Sequence, residues 1–178
     1  MSLVGFKAQG HKQQTRYQSK NRPIDDRALP PEDFAKLHQR FGFTIDVAAS
    51  AQNAKLSRYY THEQNGLAQS WANERVYCNP PFSEITPWVA KAWLEALCPL
   101  IVMLLPGNRT EQGFWQEMIE PKRDRAGSPL STEFLKGRFG FLKPGQVSIR
   151  PNQNPPFGCV LLIWNRAIPE NLEQPLFQ

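Results

Sequence analysis

Two uninterrupted apolar runs, Leu100–Leu105 and Cys159–Trp164, do most to limit what this chain can become. A strand with one wet face alternates apolar and polar residues; six apolar residues in a row need cover on both faces. The layer that supplies such cover is a parallel sheet with helices packed on either side. Neither run approaches the ~20 residues needed to span a bilayer, so no membrane partner is expected. The first fourteen residues, MSLVGFKAQGHKQQ, have no long apolar core, so no secretory signal is expected either.

The rest of the chain fits that frame. Structure is expected to begin at Leu29-Pro30-Pro31, proline being tolerated in a first helical turn, and Phe34, Leu37 and Phe41 then fall on one helical face that stops at Gly42. Phe43–Val47 reads as a strand, Ala48–Leu56 as a turn entering a helix, and 58–61 as another short strand. Arg75–Cys78 is a third strand candidate. Trp88, Val89, Ala92, Trp93, Ala96 and Leu97 form a helical stripe, and Thr110–Glu120 a further helix. Glu133–Leu142 reads as strand or hairpin. Trp71, Trp88 and Trp93 are expected in the core. Residues 1–28 are polar and aperiodic and read as a basic flexible tail; 29–178 reads as one domain. Cys78, Cys98 and Cys159 are scattered, with no metal-ligand spacing, so no metal is expected and the thiols read as free, in a cytoplasmic setting.

Charge is unevenly spread around the net +5. Residues 1–24 hold five cations and no anion; residues 121–150 hold seven cations and two anions; residues 25–120 between them hold eight cations and twelve anions. Two basic stretches flanking an acidic middle suit a polyanion surface beside a pocket of other chemistry. Solvation of a tail and a loop would produce the same count.

In an α/β sheet, ligands sit past the carboxyl ends of the strands. After Arg75–Cys78 comes Asn79-Pro80-Pro81-Phe82. The prolines stiffen the turn and remove donors. They leave an amide oxygen and a main-chain carbonyl side by side, with an aromatic face adjacent. Two fixed acceptors can bind the two hydrogens of an exocyclic amino group and aim its nitrogen at a methyl donor. With 10 Asn, 16 Pro and 20 aromatic residues, chance predicts about 0.01 such tetrapeptides, yet there are two. Asn154–Phe157 leads from a polar loop into the last strand, with no helix after it, and reads as a rigid turn. Asn79–Phe82 follows a strand and precedes a helix, and is the better site.

The stretch from Leu29 to about residue 165 resembles phage and prophage DNA N6-adenine methyltransferases of the Dam-like type. The matching pieces are Leu29–Phe34, Phe41–Ser50, Asn53-Ala54-Lys55, Arg58-Tyr59-Tyr60-Thr61, Asn65-Gly66-Leu67, Trp71 and Asn79–Phe82. Leu104-Leu105-Pro106, Arg109-Thr110 and Phe134–Phe139 with Phe141 extend the match. The resemblance implies a Rossmann-like, seven-stranded, mostly parallel methyltransferase sheet with helices on both faces, and S-adenosylmethionine as cofactor. It implies that Asn79, Pro80, Pro81 and Phe82 are catalytic. Pro30, Asp46, Val47, Ala48, Ala49, Ser50, Asn65, Gly66 and Leu67 would hold the cofactor. Leu29-Pro30-Pro31 resembles the family's entry segment, usually aromatic-x-Thr-Pro, with Leu and Pro in place of the aromatic and Thr, and Asn65 stands where Asp is common.

The expected function is methyl transfer to N6 of an adenine flipped out of double-stranded DNA, in a bacterial or phage-infected host cytoplasm. Arg109, Lys122, Arg123 and Arg125 are the candidate phosphate contacts, and the loop from Gly107 to Ser131 the candidate base reader. Arg109 paired with Glu111 or Glu117 is the competing reading, as is Asp46 acting only as a cap. A protein glutamine N-methyltransferase would use the same Asn-Pro-Pro-aromatic site, but has no need of the basic stretches. A non-enzymatic DNA-binding protein could retain the fold.

Overall fold

A computed structural model describes residues 25–149 and 155–166. Helix α1 (Pro31–Phe41) carries Glu32 and Asp33 in its first turn, where the dipole favours acids. It ends at Gly42, whose φ of 59° lets its N–H reach the His38 carbonyl at 2.8 Å. Phe34, Leu37 and Phe41 are its buried face.

Five strands make one sheet: β1 (Ile45–Asp46), β2 (Arg75–Cys78), β3 (Leu100–Pro106), β4 (Leu130–Phe134) and β5 (Cys159–Asn165), in the order β1-β2-β3-β5-β4. β1, β2 and β3 pair in parallel; β5 is antiparallel to both its neighbours, so β4 runs with the first three. The α/β class holds, but the described sheet has five strands rather than seven. One expected strand, 58–61, is reduced to a single parallel bridge between Tyr59 and Asp46 at the sheet's edge.

Side chains alternate through this sheet into two cores. Val76, Cys78, Ile101, Met103, Leu105, Val160, Leu162 and Trp164 face one side. There they meet Trp88, Val89 and Ala92 of helix α2 (Ile85–Leu94) and the π-helical turn Trp115–Ile119. Tyr77, Leu100, Val102, Leu104, Leu161 and Ile163 face the other side and meet α1. Each apolar run therefore serves both cores, and burying each large side chain contributes about 1.5–3 kcal/mol. Cys78, Cys98 and Cys159 are buried and unpaired with one another; burial pushes the Cys98 thiol up to about 11 and that of Cys159 to about 12. Among the described residues no helix is long and apolar enough to cross a membrane.

Other expected elements change, and the helix expected over Thr110–Glu120 is confined to residues 113–119. Ala48–Leu56 forms turns rather than a helix start, because side-chain acceptors take its amides: Asp46 those of Ala48 and Lys55, Asn53 that of Ser50. The stripe read to Leu97 ends at Leu94, leaving Leu97 exposed; the chain turns back through Pro99 into β3. The strand expected at Glu133–Leu142 lies earlier, at Leu130–Phe134.

Candidate active site at the carboxyl rim of the sheet

Parallel strands bring the segments that follow β1, β2, β3 and β4 to one rim. Asp46 is level with Tyr77, and Tyr77 with Val102. Val47 donates its N–H to the Tyr77 carbonyl at 3.1 Å, so the chain leaving β1 passes beside the turn leaving β2.

At that turn, Asn79 is half-buried and Pro80 buried. The Asn79 amide nitrogen donates to the Arg27 carbonyl at 2.8 Å. Its Oδ1 is buried and has no hydrogen-bond partner among the described residues. Leaving a buried acceptor unsatisfied costs about 1–3 kcal/mol, and a catalytic role is one of the explanations for such an exception. The Glu84 N–H closes the turn on the Pro81 carbonyl at 3.0 Å. Phe82 is half-buried, edge-on to Phe141 at 5.6 Å and to Phe157 at 6.4 Å. The second tetrapeptide thus supplies a wall to the first through Phe157; Asn154 lies outside the described residues.

The Asp46–Ser50 loop is shaped from within. Asp46 is buried, with one carboxylate oxygen 3.3 Å from the Ala48 nitrogen and the other 3.2 Å from that of Lys55. Burial raises its carboxyl to about 6 against those bonds. Ala48 and Ala49 add little bulk, and the Ala49 N–H is held by the Tyr60 carbonyl at 3.1 Å. Gly66 packs so tightly on this loop that a Cβ there would lie 2.1 Å from the Val47 carbonyl oxygen. Asn65 enters this contact at φ 51°, and the Trp71 indole donates to the Gly66 carbonyl at 2.9 Å. Leu67 packs on the core beneath.

Three residues read with the tail tie these pieces together. Asp25 accepts from the Ser83 hydroxyl at 2.7 Å, Asp26 accepts from the Ser50 hydroxyl at 3.0 Å and from the Asn53 amide, and the Arg27 carbonyl holds Asn79. Ala28 then pairs with Leu142 through two backbone bonds, of 3.0 and 2.8 Å. Residues 25–28 are therefore a strap across the rim; the rest of the expected tail, residues 1–24, lies outside the described residues. The one hint of it in the sequence is the switch to acidic residues at Asp25-Asp26 after a stretch without any. Pro30, two residues on, caps α1 on the same rim, where it lines a groove with Lys136–Gly140. Leu29 is buried in the α1 core.

The candidate phosphate contacts divide. Arg109 follows β3 on the rim of Asn79. Lys122, Arg123 and Arg125 do not: they precede β4, whose first residue, Leu130, is level with Ile101 near the start of β3, both facing Trp164. They lie on the opposite rim. Arg123 is also engaged there by Glu120 and Asp124, each at 2.9 Å, and Lys122 sits 4.4 Å above the Trp93 ring.

The Asp46 carboxyl sets a pH dependence of stability. Its folded value, about 6, lies above its ordinary 3.8, so the native state holds the proton more tightly than the unfolded chain. Its contribution is full below about pH 4 and is lost as pH rises to about 6, a change of roughly 3 kcal/mol. Urea unfolding across that window should show wild type losing stability relative to Asp46→Asn, which has no proton to release. Parallel pH profiles would disprove the assignment.

A family model described as DNA N-6-adenine-methyltransferase (Dam) matches residues 17–172. A DNA N-6-adenine-methyltransferase of Escherichia phage T1 is 36% identical over 141 residues, covering 71% of this chain and 59% of that protein. Another of that name, from Haemophilus phage HP1 (strain HP1c1), is 31% identical over 74 residues, covering 40% of this chain and 43% of the relative. The matched part of the chain thus spans between about two-fifths and three-fifths of these curated relatives.

Proposed function

The chain belongs to the DNA N-6-adenine-methyltransferase (Dam) family, and from that premise we propose that it transfers a methyl group from S-adenosylmethionine to N6 of an adenine flipped out of double-stranded DNA. The observation that carries the reading is the Asn79 amide: its nitrogen is held by the Arg27 carbonyl, and its buried Oδ1 is left without a partner.

In this reading Oδ1 accepts one N6 hydrogen and the Pro80 carbonyl the other. The pair orients the nitrogen lone pair and draws off the positive charge that builds as the N–C bond forms. N6 would take the methyl from the donor's sulfonium, leaving a thioether, and would lose its extra proton to water. Phe82, backed by Phe141 and Phe157, offers the aromatic face against which the extruded ring rests. S-adenosylmethionine supplies a methyl carbon already electrophilic on sulfur. The residues present fit such a ligand: Gly66 leaves no Cβ against Val47, Ala48 and Ala49 are small, and the strap holds Ser50 through Asp26 and Asn79 through Arg27. Pro30, Asp46 to Ser50 and Asn65 to Leu67 would hold it. Asp46 acts by shaping the loop, since its oxygens are already engaged by backbone amides. We read the parallel strands β1 to β3, with helices on both faces, as the core of a Rossmann-like sheet.

Incubating the full chain with methyl-labelled S-adenosylmethionine, adenine-unmethylated plasmid and total cell protein tests this directly. Label should enter DNA as N6-methyladenine. Label on protein glutamine would favour the alternative substrate. DNA binding without transfer, and no calorimetric binding of S-adenosylmethionine or its demethylated product, would overturn the enzymatic reading.

A further inference from the structure

The sheet splits the basic segment 121–150 between its two rims. Lys122, Arg123 and Arg125 fall on the rim away from Asn79, among Glu120 and Asp124. The loop after β4 falls on the rim of Asn79. From residue 135 to 149 it carries Lys136, Arg138 and Lys143 and no acidic residue. All three cations are exposed, and none forms an ion pair among the described residues.

Two contacts seat this loop beside the site. Leu142, next to Lys143, pairs with Ala28, which adjoins the Arg27 carbonyl that holds Asn79. At its other end, the Gly137 carbonyl lies 3.5 Å from where a Gly158 Cβ would sit, and Gly158 follows Phe157, the ring packed on Phe82. Lys136 and Arg138 flank Gly137 and line the groove by Pro30. The acids on that groove's far wall are Glu32 and Asp33, and Asp33 is paired with Lys36 at 3.2 Å. Unpaired cations beside a base-accepting turn suit a duplex backbone, whose phosphates position the DNA while the pocket handles the base.

We propose that Lys136, Arg138 and Lys143 form the phosphate-binding surface that seats duplex DNA over Asn79, and that Lys122, Arg123 and Arg125 take no part in it. The assignment rests on the DNA-methyltransferase reading above and adds to it the face on which the duplex lies.

The test is fluorescence anisotropy of the full chain on a labelled DNA duplex over a salt series. Lys136→Ala/Arg138→Ala/Lys143→Ala is compared with Lys122→Ala/Arg125→Ala and wild type. Each lost phosphate contact removes about 0.9 from the log–log salt slope, so the triple variant should lose nearly 3, with affinity down on the order of 10²-fold at 0.1 M salt. The double variant should match wild type, and a Lys136→Arg/Lys143→Arg version should keep the slope because it keeps the charge. A triple variant with the wild-type slope, or a double variant that takes the loss, overturns the surface. If wild type methylates DNA and the triple variant is unaltered, only the surface falls; if wild type neither binds nor methylates DNA, the functional reading falls with it.

Discussion

Asn79→Ala is expected to lower the single-turnover rate of methyl transfer by roughly 10²–10³-fold while leaving S-adenosylmethionine affinity nearly unchanged. That is the usual cost of removing one oriented acceptor or donor aimed at developing charge. The substitution deletes the free Oδ1 and the bond to the Arg27 carbonyl together. Asn79→Asp retains an acceptor but sets a carboxylate oxygen against that carbonyl, so it tests the bond to Arg27 by itself and should be slow as well. Phe82→Ala should slow transfer by less, in line with about 1–3 kcal/mol for a stacking face. Asn154→Ala, in the other copy of the tetrapeptide, should leave the chemical step close to wild type. Circular dichroism of each variant checks folding, and rapid-quench methylation of DNA supplies the rates. A dead Asn154→Ala beside an active Asn79→Ala would mean that the two copies have exchanged roles.

Gly66→Ala should cost more stability than any other single-methyl change on the rim. The new Cβ would stand 2.1 Å from the Val47 carbonyl oxygen and 3.3 Å from the Trp88 ring. The nearest obstacle is backbone, so no rotamer change relieves it. Moving the 65–67 segment away also strains the 2.9 Å bond from the Trp71 indole to the Gly66 carbonyl. A loss of about 3 kcal/mol or more is expected, together with weaker S-adenosylmethionine binding, because the same contact shapes the Val47–Ser50 loop. Gly113→Ala is the control: its Cβ would meet only the Glu117 carboxylate, at 3.6 Å. Urea unfolding and calorimetry measure both. A Gly66→Ala protein that unfolds with wild type and binds the cofactor equally would remove the close approach from the account.

Local pattern and covalent stiffness were enough for much of this protein. Six apolar residues in a row required a strand covered twice, and β3 and β5 formed there. Phe34, Leu37, Phe41 and Gly42 specified the buried face and the C-terminal stop of α1, because helical period and a left-handed cap are local properties. The Asn79–Phe82 turn was legible for the same reason, since proline imposes its restraint within two residues. Where long-range partners compete, the sequence was silent or misleading. Phe157 became a wall for Phe82 from 75 residues away, while Ala48–Leu56 was misread for a local reason, its amides going to the nearby acceptors of Asp46 and Asn53. The strap at Asp25 to Arg27 looks like the end of a tail until its partners Ser83, Ser50 and Asn79 are in place. Charge was the least legible of all. Along the chain, Lys122 and Lys136 belong to one basic stretch; strand direction sends them to opposite rims, and only the sheet's pairing decides which of them shares the rim of Asn79.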